Sequence, residues 1–176
     1  AVENAVDKLD GLAEELMRKS GIPGMAVAVV HGGKTVYAKG FGVKDVRNGD
    51  KVDPDTVFQL ASLSKPVAAT VVGHQVGTNA ISWDTPIVSK LPWFALSDPM
   101  VTKMITVGDM FSHRSGLPDH AGDRLEDIGY DRRYVLEHLR QLPLDPFRIS
   151  YAYTNFGFTV GAETVAVGAG KPWEDL

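Results

Sequence analysis

The feature that most constrains the fold is a pair of apolar runs joined by a glycine-rich turn. MAVAVV (25–30) is followed by HGGK (31–34) and then by TVYAKGFG (35–42). Small and β-branched residues on both sides of a short glycine turn predict a β-hairpin. Because the apolar residues of the first run are consecutive rather than alternating, we expect the sheet to be covered on both faces. The chain must therefore supply, or acquire, layers that pack on a sheet.

Helices are predicted on both sides of this hairpin. Apolar residues recur at helical spacing over 2–18, and SGIP (20–23) ends that segment. After the turn-rich stretch RNGDKVDPDT (47–56), helical patterns cover 62–76, about 106–113, 132–141 and 158–167. We therefore predict an α+β chain, in which 1–57 contributes a helix and a hairpin to a sheet region and 58–176 is mainly helical.

The last residues predict a further helix. KPWEDL (171–176) has a proline suited to a first helical position and acidic residues in the turn that follows. The chain stops before this helix could develop an apolar face. We therefore expect that the chain is truncated or cleaved at residue 176.

Composition excludes several classes of function. A net charge of −4 and a pI near 5.7 give no electrostatic reason to expect nucleic acid as a partner. No cysteine is present, so disulfides, thiolate metal sites and a cysteine nucleophile are excluded. No apolar stretch approaches the roughly 20 residues that a membrane-spanning helix needs. The opening AVENAVDKLD has no signal-peptide pattern, and the compartment stays open.

The chemistry-bearing candidate is Ser62-Leu63-Ser64-Lys65, in a segment (58–70) that otherwise reads as buried. On a helix, residues i and i+3 lie on one face, so the Lys65 amine can reach the Ser62 hydroxyl. At a helix N-terminus, free N–H groups and the helix dipole would favour an oxyanion and a neutral lysine, which could accept the serine proton. The alternative is a plain helix start whose lysine extends to solvent, because a single S-x-x-K is common by chance.

A second candidate is Tyr153-Thr154-Asn155, between turn-prone flanks. The Tyr153 hydroxyl could relay a proton to a leaving group, and a nearby lysine charge would lower the pKa of that hydroxyl. The Asn155 amide could donate to a substrate carbonyl and accept from an N–H. The alternative is an ordinary loop tyrosine beside a turn asparagine. His113 is interpreted as structural, and no histidine pair has metal-ligand spacing.

Taken together, FQLASLSKP (58–66), ITVGDMFSHRSGLP (105–118) and YAYTNFGFTVGAETVAVGAGKPWEDL (151–176) resemble the serine β-lactamase-related superfamily. The most similar branch comprises class C β-lactamases, DD-peptidases and β-lactamase-like carboxylesterases. The resemblance implies a β-lactamase/transpeptidase-like fold, with an antiparallel sheet flanked by helices and a mainly helical subdomain. It also implies an acyl-enzyme mechanism without metal or organic cofactor. In that mechanism Ser62 is the nucleophile, Lys65 its activating partner, Tyr153 the general base and acid, and Asn155 a substrate-positioning residue.

One family element is missing from this chain. The family carries Lys-Thr/Ser-Gly or His-x-Gly on a strand downstream of the tyrosine motif, and nothing after Asn155 matches it. KSG (19–21) and HGG (31–33) precede the nucleophile and are rejected. By the resemblance, the remaining strands, one N–H group of the oxyanion hole and full activity come from a C-terminal part, supplied by a companion polypeptide.

The substrate class stays open between a β-lactam, an ester and a D-amino-acid peptide. A penicillin-binding sensor or pseudoenzyme without turnover, and an inactive fragment, are the alternatives to an enzyme. The resemblance points to a periplasmic or secreted location, and a cytoplasmic one stays open.

Overall fold

A computed structural model describes residues 2–176, which divide into two compact units, one ending at Leu60 and one beginning at Ala61. The first unit contains two helices and a hairpin. Its elements in chain order are α1 (Val2–Val6), α2 (Leu9–Ser20), β1 (Gly24–His31) and β2 (Lys34–Gly42).

The hairpin forms where the sequence predicts it. β1 and β2 pair antiparallel, with Ala28 opposite Ala38 and His31 opposite Lys34. Gly32 and Gly33 both have positive φ, 57° and 74°, which is the backbone that a two-residue hairpin turn of this hand requires.

Two expectations for this unit are wrong. The predicted helix over 2–18 is interrupted, because the chain leaves α1 in a turn where the Lys8 N–H donates to the Ala5 carbonyl. The sheet is not covered on both faces within residues 2–176, since Val30 and Val36 keep 68% and 45% of their surface exposed. Residues 2–176 supply only β1 and β2 to this sheet.

The second unit is helical within its described residues. The helices are α3 (Ser64–Gly77), α4 (Ile87–Lys90), α5 (Pro99–Met104), α6 (Val107–Phe111), α7 (Asp123–Asp127), α8 (Arg132–His138) and α9 (Asn155–Ala169). A 3₁₀ turn (Ala61–Leu63) precedes α3, and two further 3₁₀ turns follow α8 and α9.

The core of this unit forms around α9. Helices α3, α4, α6 and α8 all contact α9, and its Val160 and Val165 are fully buried. Gly161 lets α6 approach closely, because a Cβ there would lie 2.8 Å from the Phe111 ring. This packing fixes the start of α9, where the tyrosine motif lies.

The helices differ from the predicted ones in their boundaries and in their number. The predicted 62–76 helix begins with a 3₁₀ turn, and the predicted 158–167 helix starts three residues earlier, at Asn155, because Thr154 is its extended N-cap residue. KPWEDL forms only the 3₁₀ turn Trp173–Asp175. Three short helices, α4, α5 and α7, have too few residues for their periodicity to stand out.

Candidate active site

Ser62 lies at a backbone junction between a 3₁₀ turn and α3. It is the middle residue of the turn Ala61–Leu63, and α3 begins at Ser64. The preceding residue, Ala61, has φ +46°, a left-handed conformation that non-glycine residues adopt rarely and that is enriched at functional sites. The serine hydroxyl is thereby presented at the N-terminal end of α3.

The prediction that residues 58–70 are buried is wrong. Ser62 is exposed, Leu63 and Val67 keep 68% and 59% of their surface, and Lys65 is half-buried. Within residues 2–176 no layer covers this face of α3. Apolar composition alone therefore overstated the burial of this segment.

Lys65 lies at the centre of a cluster of oxygen atoms. Its Nζ donates to Tyr153 Oη at 2.5 Å, to Asn155 Oδ1 at 2.7 Å and to Ser62 Oγ at 3.3 Å. Three acceptors match the three N–H donors of an ammonium group. The amine is therefore held by polar groups.

The hydroxyl groups of Ser62 and Tyr153 are in direct hydrogen-bond contact. Their oxygen atoms are 2.6 Å apart, against 3.3 Å from Ser62 Oγ to Lys65 Nζ. The hydrogen bond from Lys65, and secondarily that from Ser62, lower the pKa of Tyr153, although partial burial opposes them. A tyrosine with a lowered pKa beside a serine hydroxyl can act as a proton acceptor.

The Tyr153 backbone is held by two histidines. The Ala152 N–H donates to the His113 carbonyl at 3.1 Å, and the Thr154 N–H donates to His113 Nδ1 at 3.2 Å. The His120 N–H donates to the Tyr153 carbonyl at 2.8 Å. These three bonds fix an extended segment immediately before α9.

Both histidines adopt the left-handed backbone region, with φ +56° at His113 and +55° at His120. The His113 ring centroid lies 4.8 Å from that of Tyr153. Burial, and after it the Lys65 charge, lower the pKa of His113, which favours the neutral ring whose Nδ1 accepts the Thr154 N–H. The geometry of His113 is that of a buried, positioning side chain.

Asn155 is the first residue of α9, and both ends of its amide are engaged. Oδ1 accepts from Lys65, and Nδ2 donates to Asp123 Oδ2 at 3.1 Å and Oδ1 at 3.3 Å. Asp123 Oδ2 in turn lies 2.8 Å from His120 Nδ1.

The structure therefore brings all four predicted side chains, Ser62, Lys65, Tyr153 and Asn155, into one hydrogen-bonded cluster. Sequence reasoning missed Asp123 and the role of His120, because both residues lie outside the two candidate motifs at 62–65 and 153–155. The three-residue spacing of His120 and Asp123 was the one local signal that could have linked them.

A cavity of about 280 Å³ borders Lys65 and Asn155. Its opposite side carries an ion pair between Arg132 Nε and Glu163 Oε1, 3.1 Å apart. Across residues 2–176, the structure has no cluster of three acidic, histidine or cysteine side chains that could hold a metal ion. No helix in the same range is long and apolar enough to cross a membrane.

Comparison with known proteins identifies relatives of this chain. The family model "Beta-lactamase" matches residues 9–176. Unguisins hydrolase ungD' of Aspergillus campestris (strain IBT 28561) is 34% identical over 96% of this chain and 34% of its own length. Penicillin-binding protein 4 of Amycolatopsis lactamdurans is 32% identical over 88% of this chain and 40% of its own length.

Solved structures agree with the family match. A class C β-lactamase in complex with cefoxitin superimposes with a TM-score of 0.81 and 26% identity, covering 99% of this chain and 48% of that one. The predicted β-lactamase/transpeptidase-like fold is thereby confirmed. The chain spans about a third to a half of the length of these relatives. From the family model, the relatives and the fold, we conclude that the chain belongs to the β-lactamase family of serine hydrolases.

Proposed function

We propose that the protein is a serine hydrolase that works through an acyl-enzyme on Ser62. The observation that carries the proposal is the contact between Ser62 Oγ and Tyr153 Oη at 2.6 Å, with Lys65 Nζ 2.5 Å from the same phenolic oxygen. A nucleophile, a proton acceptor and a group that tunes the acceptor thus lie within hydrogen-bond reach of one another.

In the acylation step, the ionised Tyr153 oxygen removes the Ser62 proton while Oγ bonds to the substrate carbonyl carbon. The carbonyl electron pair moves to the oxygen, which accepts from the Ser62 backbone N–H near the start of α3. As the tetrahedral intermediate collapses, the bond to the leaving group breaks and Tyr153 returns its proton to that group. Lys65 holds the Tyr153 oxygen throughout, and Asn155 orients the substrate with its amide group.

This mechanism assigns the first proton transfer to Tyr153 rather than to Lys65. The two distances from Ser62 Oγ, 2.6 Å and 3.3 Å, favour that order. In the second half of the cycle a water molecule replaces the leaving group. It loses a proton to Tyr153, attacks the acyl carbon and releases the acid, and the proton returns to Ser62 Oγ.

The substrate is a carbonyl compound of one of three classes, a β-lactam, an ester or a D-amino-acid peptide. All three present an electrophilic carbon and a leaving heteroatom to the same groups. The relatives named for penicillin binding and for hydrolysis of unguisins support keeping more than one substrate class in the proposal.

The test is intact-mass spectrometry of the protein before and after incubation with a penicillin and, separately, with an activated short-chain ester. We expect one covalent adduct, absent in Ser62→Ala. Ser64→Ala is the matched control, because Ser64 is two residues away and makes no side-chain hydrogen bond within residues 2–176. It should keep the adduct. An adduct that survives in Ser62→Ala would refute the assignment.

Turnover separates the remaining functions. Steady release of product after the burst identifies an enzyme, and a burst without turnover identifies a penicillin-binding sensor. We also propose that full activity requires protein beyond these 176 residues, supplied in the same chain or as a companion polypeptide. The length of the relatives and the exposed nucleophile support this, and a second polypeptide in the same mass spectrum would identify the companion.

A further inference from the structure

The Asp123 carboxylate contacts Asn155, a side chain in the cluster that could be turned end for end without changing its shape. Asn155 can present either its oxygen or its NH₂ to Lys65, because the two ends of an amide have nearly the same shape. Asp123 accepts from Nδ2 through both carboxylate oxygens, at 3.1 and 3.3 Å. An ionised carboxylate only accepts, so it requires the NH₂ end to face it.

The orientation of Asn155 has a direct consequence for Lys65. With NH₂ toward Asp123, Oδ1 lies 2.7 Å from Lys65 Nζ. In the reversed orientation, NH₂ would face the ammonium and two donors would oppose each other. Lys65 would then lose one of its three acceptors and be held less firmly against Tyr153.

Asp123 is itself anchored by His120. Asp123 Oδ2 lies 2.8 Å from His120 Nδ1, and the Asp123 side chain is only 24% exposed. The charged and titratable groups around the His120 ring are Asp123, Asp119 at 3.7 Å, Lys65 and the Tyr153 ring. The hydrogen bond to Asp123, followed by the charge of Asp119, raises the pKa of His120 and favours the imidazolium that holds the carboxylate.

We propose that Asp123, anchored by His120, is a positioning residue for the acyl transfer: it fixes the Asn155 amide so that Oδ1 holds Lys65 against Tyr153. This proposal rests on the proposed function for its effect on rate. It adds a chain of three contacts, His120 to Asp123 to Asn155 to Lys65, that runs from the 120–123 segment to the reacting groups.

The experiment compares Asp123→Leu with Asp123→Asn in the intact protein. Both variants remove the charge and keep a similar shape, but only the asparagine can still accept from Asn155 Nδ2. We expect the acylation rate constant of Asp123→Leu to be about 10-fold to 100-fold below that of Asp123→Asn. Asp127→Asn is the control, because Asp127 lies on α7 with Asp123 but makes no side-chain hydrogen bond within residues 2–176, and it should stay within about 3-fold of wild type.

The pH profile separates positioning from a merely structural loss. Loosening Lys65 removes the main cause of the lowered pKa of Tyr153, so the acidic limb of the rate profile should lie at higher pH in Asp123→Leu than in Asp123→Asn. Because both variants lack the Asp123 charge, the loss of that charge cannot explain a difference between their pH profiles. Equal rates and coincident limbs in the two variants would overturn the proposal.

A readout that does not depend on activity is the side-chain amide resonance pair of Asn155 in a ¹H–¹⁵N spectrum. We expect a shift of both signals in Asp123→Leu, and none in Asp127→Asn. If wild type forms no Ser62 adduct, the proposed function fails on its own account, and this spectrum decides the orientation of Asn155 alone. An unshifted pair in a folded Asp123→Leu protein would refute the positioning role.

Discussion

At the residue scale, the contacts around Tyr153 set the expected pH dependence. Lys65 and Ser62 lower the pKa of Tyr153 from its ordinary value near 10, so the reactive phenolate becomes populated below that value. Tyr153 can accept the Ser62 proton, and so accelerate acylation, only when its hydroxyl is deprotonated. We therefore expect the acylation rate to rise with pH until the Tyr153 pKa is passed.

Tyr153→Phe tests this assignment. Loss of the proton acceptor should lower the acylation rate about 10²-fold to 10⁴-fold and remove the rise with pH. Tyr151→Phe is the matched control, because Tyr151 lies two residues away and is 69% exposed, and it should retain wild-type rates. The measurement is the second-order rate of adduct formation across neutral and alkaline pH. A Tyr153→Phe protein that acylates at the wild-type rate would shift the base role to Lys65.

The same scale shows what the sequence could and could not reveal about the site. Ser62 and Lys65 were accessible because their three-residue spacing implies contact on a helix. Tyr153 and Asn155 were accessible by their motif and the family resemblance. The partners of Asn155 and Thr154 were not, because Asp123 and His113 lie 32 and 41 residues away in sequence. Residues so far apart in sequence come together at the start of α9 only when the chain folds.

At the element scale, a buried carboxylate joins α6 to the segment that leads into the tyrosine motif. Asp109 closes a capping box with Thr106 at the start of α6 and accepts from Arg148 Nη2 at 2.9 Å. The Arg148 Nη2 also donates to the Met104 carbonyl at 3.2 Å. Arg148 has φ +64°, so the loop before Tyr153 is held in a strained conformation by these contacts.

Arg148→Met should therefore lower the free energy of unfolding by about 2 kcal/mol. The substitution removes the closest charged partner of Asp109, which is 2% exposed, and leaves Arg114 at 3.5 Å. This expected loss of free energy is smaller than that for breaking a fully buried ion pair, because Arg148 is itself 42% exposed. Urea unfolding at about pH 7 measures it, with Arg114→Met as the control. Arg114 lies 3.5 Å from the same carboxylate, is half exposed and should cost under about 0.5 kcal/mol.

The pH dependence of this loss follows from the Asp109 pKa. Burial acts to raise that pKa, but the hydrogen bonds from Arg148 and Thr106 outweigh it, and the net shift is downward. A carboxyl with a lowered folded pKa stabilises fully above its unfolded pKa of about 4, and its contribution is lost as the pH falls through the folded pKa. The difference between wild type and Arg148→Met should therefore shrink below about pH 4. A difference that stays constant in acid would mean that Arg148 acts by packing alone.

Element prediction succeeded where the pattern was long or had a specific turn. The glycine turn at Gly32 and Gly33 and the apolar run of α9 were predicted correctly, but α7 was not, because its five residues include a single apolar side chain. The start of α9 was missed by three residues because Thr154 lies at its N-cap without a side-chain capping bond. Tertiary contacts with His113 and His120, rather than local capping, fix that boundary.

At the scale of the whole molecule, the described residues leave many large apolar side chains in contact with solvent. Val57 is 94% exposed and Val30, on β1, is 68% exposed, while α3 exposes Val67. Exposed apolar area of this kind is typical of surfaces that pack against another part of a protein. A two-stranded sheet is also too small to be stable without further cover.

The last prediction concerns these 176 residues in isolation. If the exposed strand and helix faces normally pack against further protein, the 19.0 kDa chain alone should self-associate or retain a companion polypeptide. Sedimentation velocity measures the self-association, and binding of a dye measures the exposed apolar surface. Adding the further protein that covers these faces should abolish both the self-association and the dye binding. The paired substitutions Val30→Thr and Val57→Thr should reduce self-association without unfolding, because both side chains are exposed. The opposite result, a monodisperse 19.0 kDa monomer that unfolds cooperatively and binds no dye, would mean that residues 1–176 form a self-sufficient unit, and the companion proposal would then be abandoned.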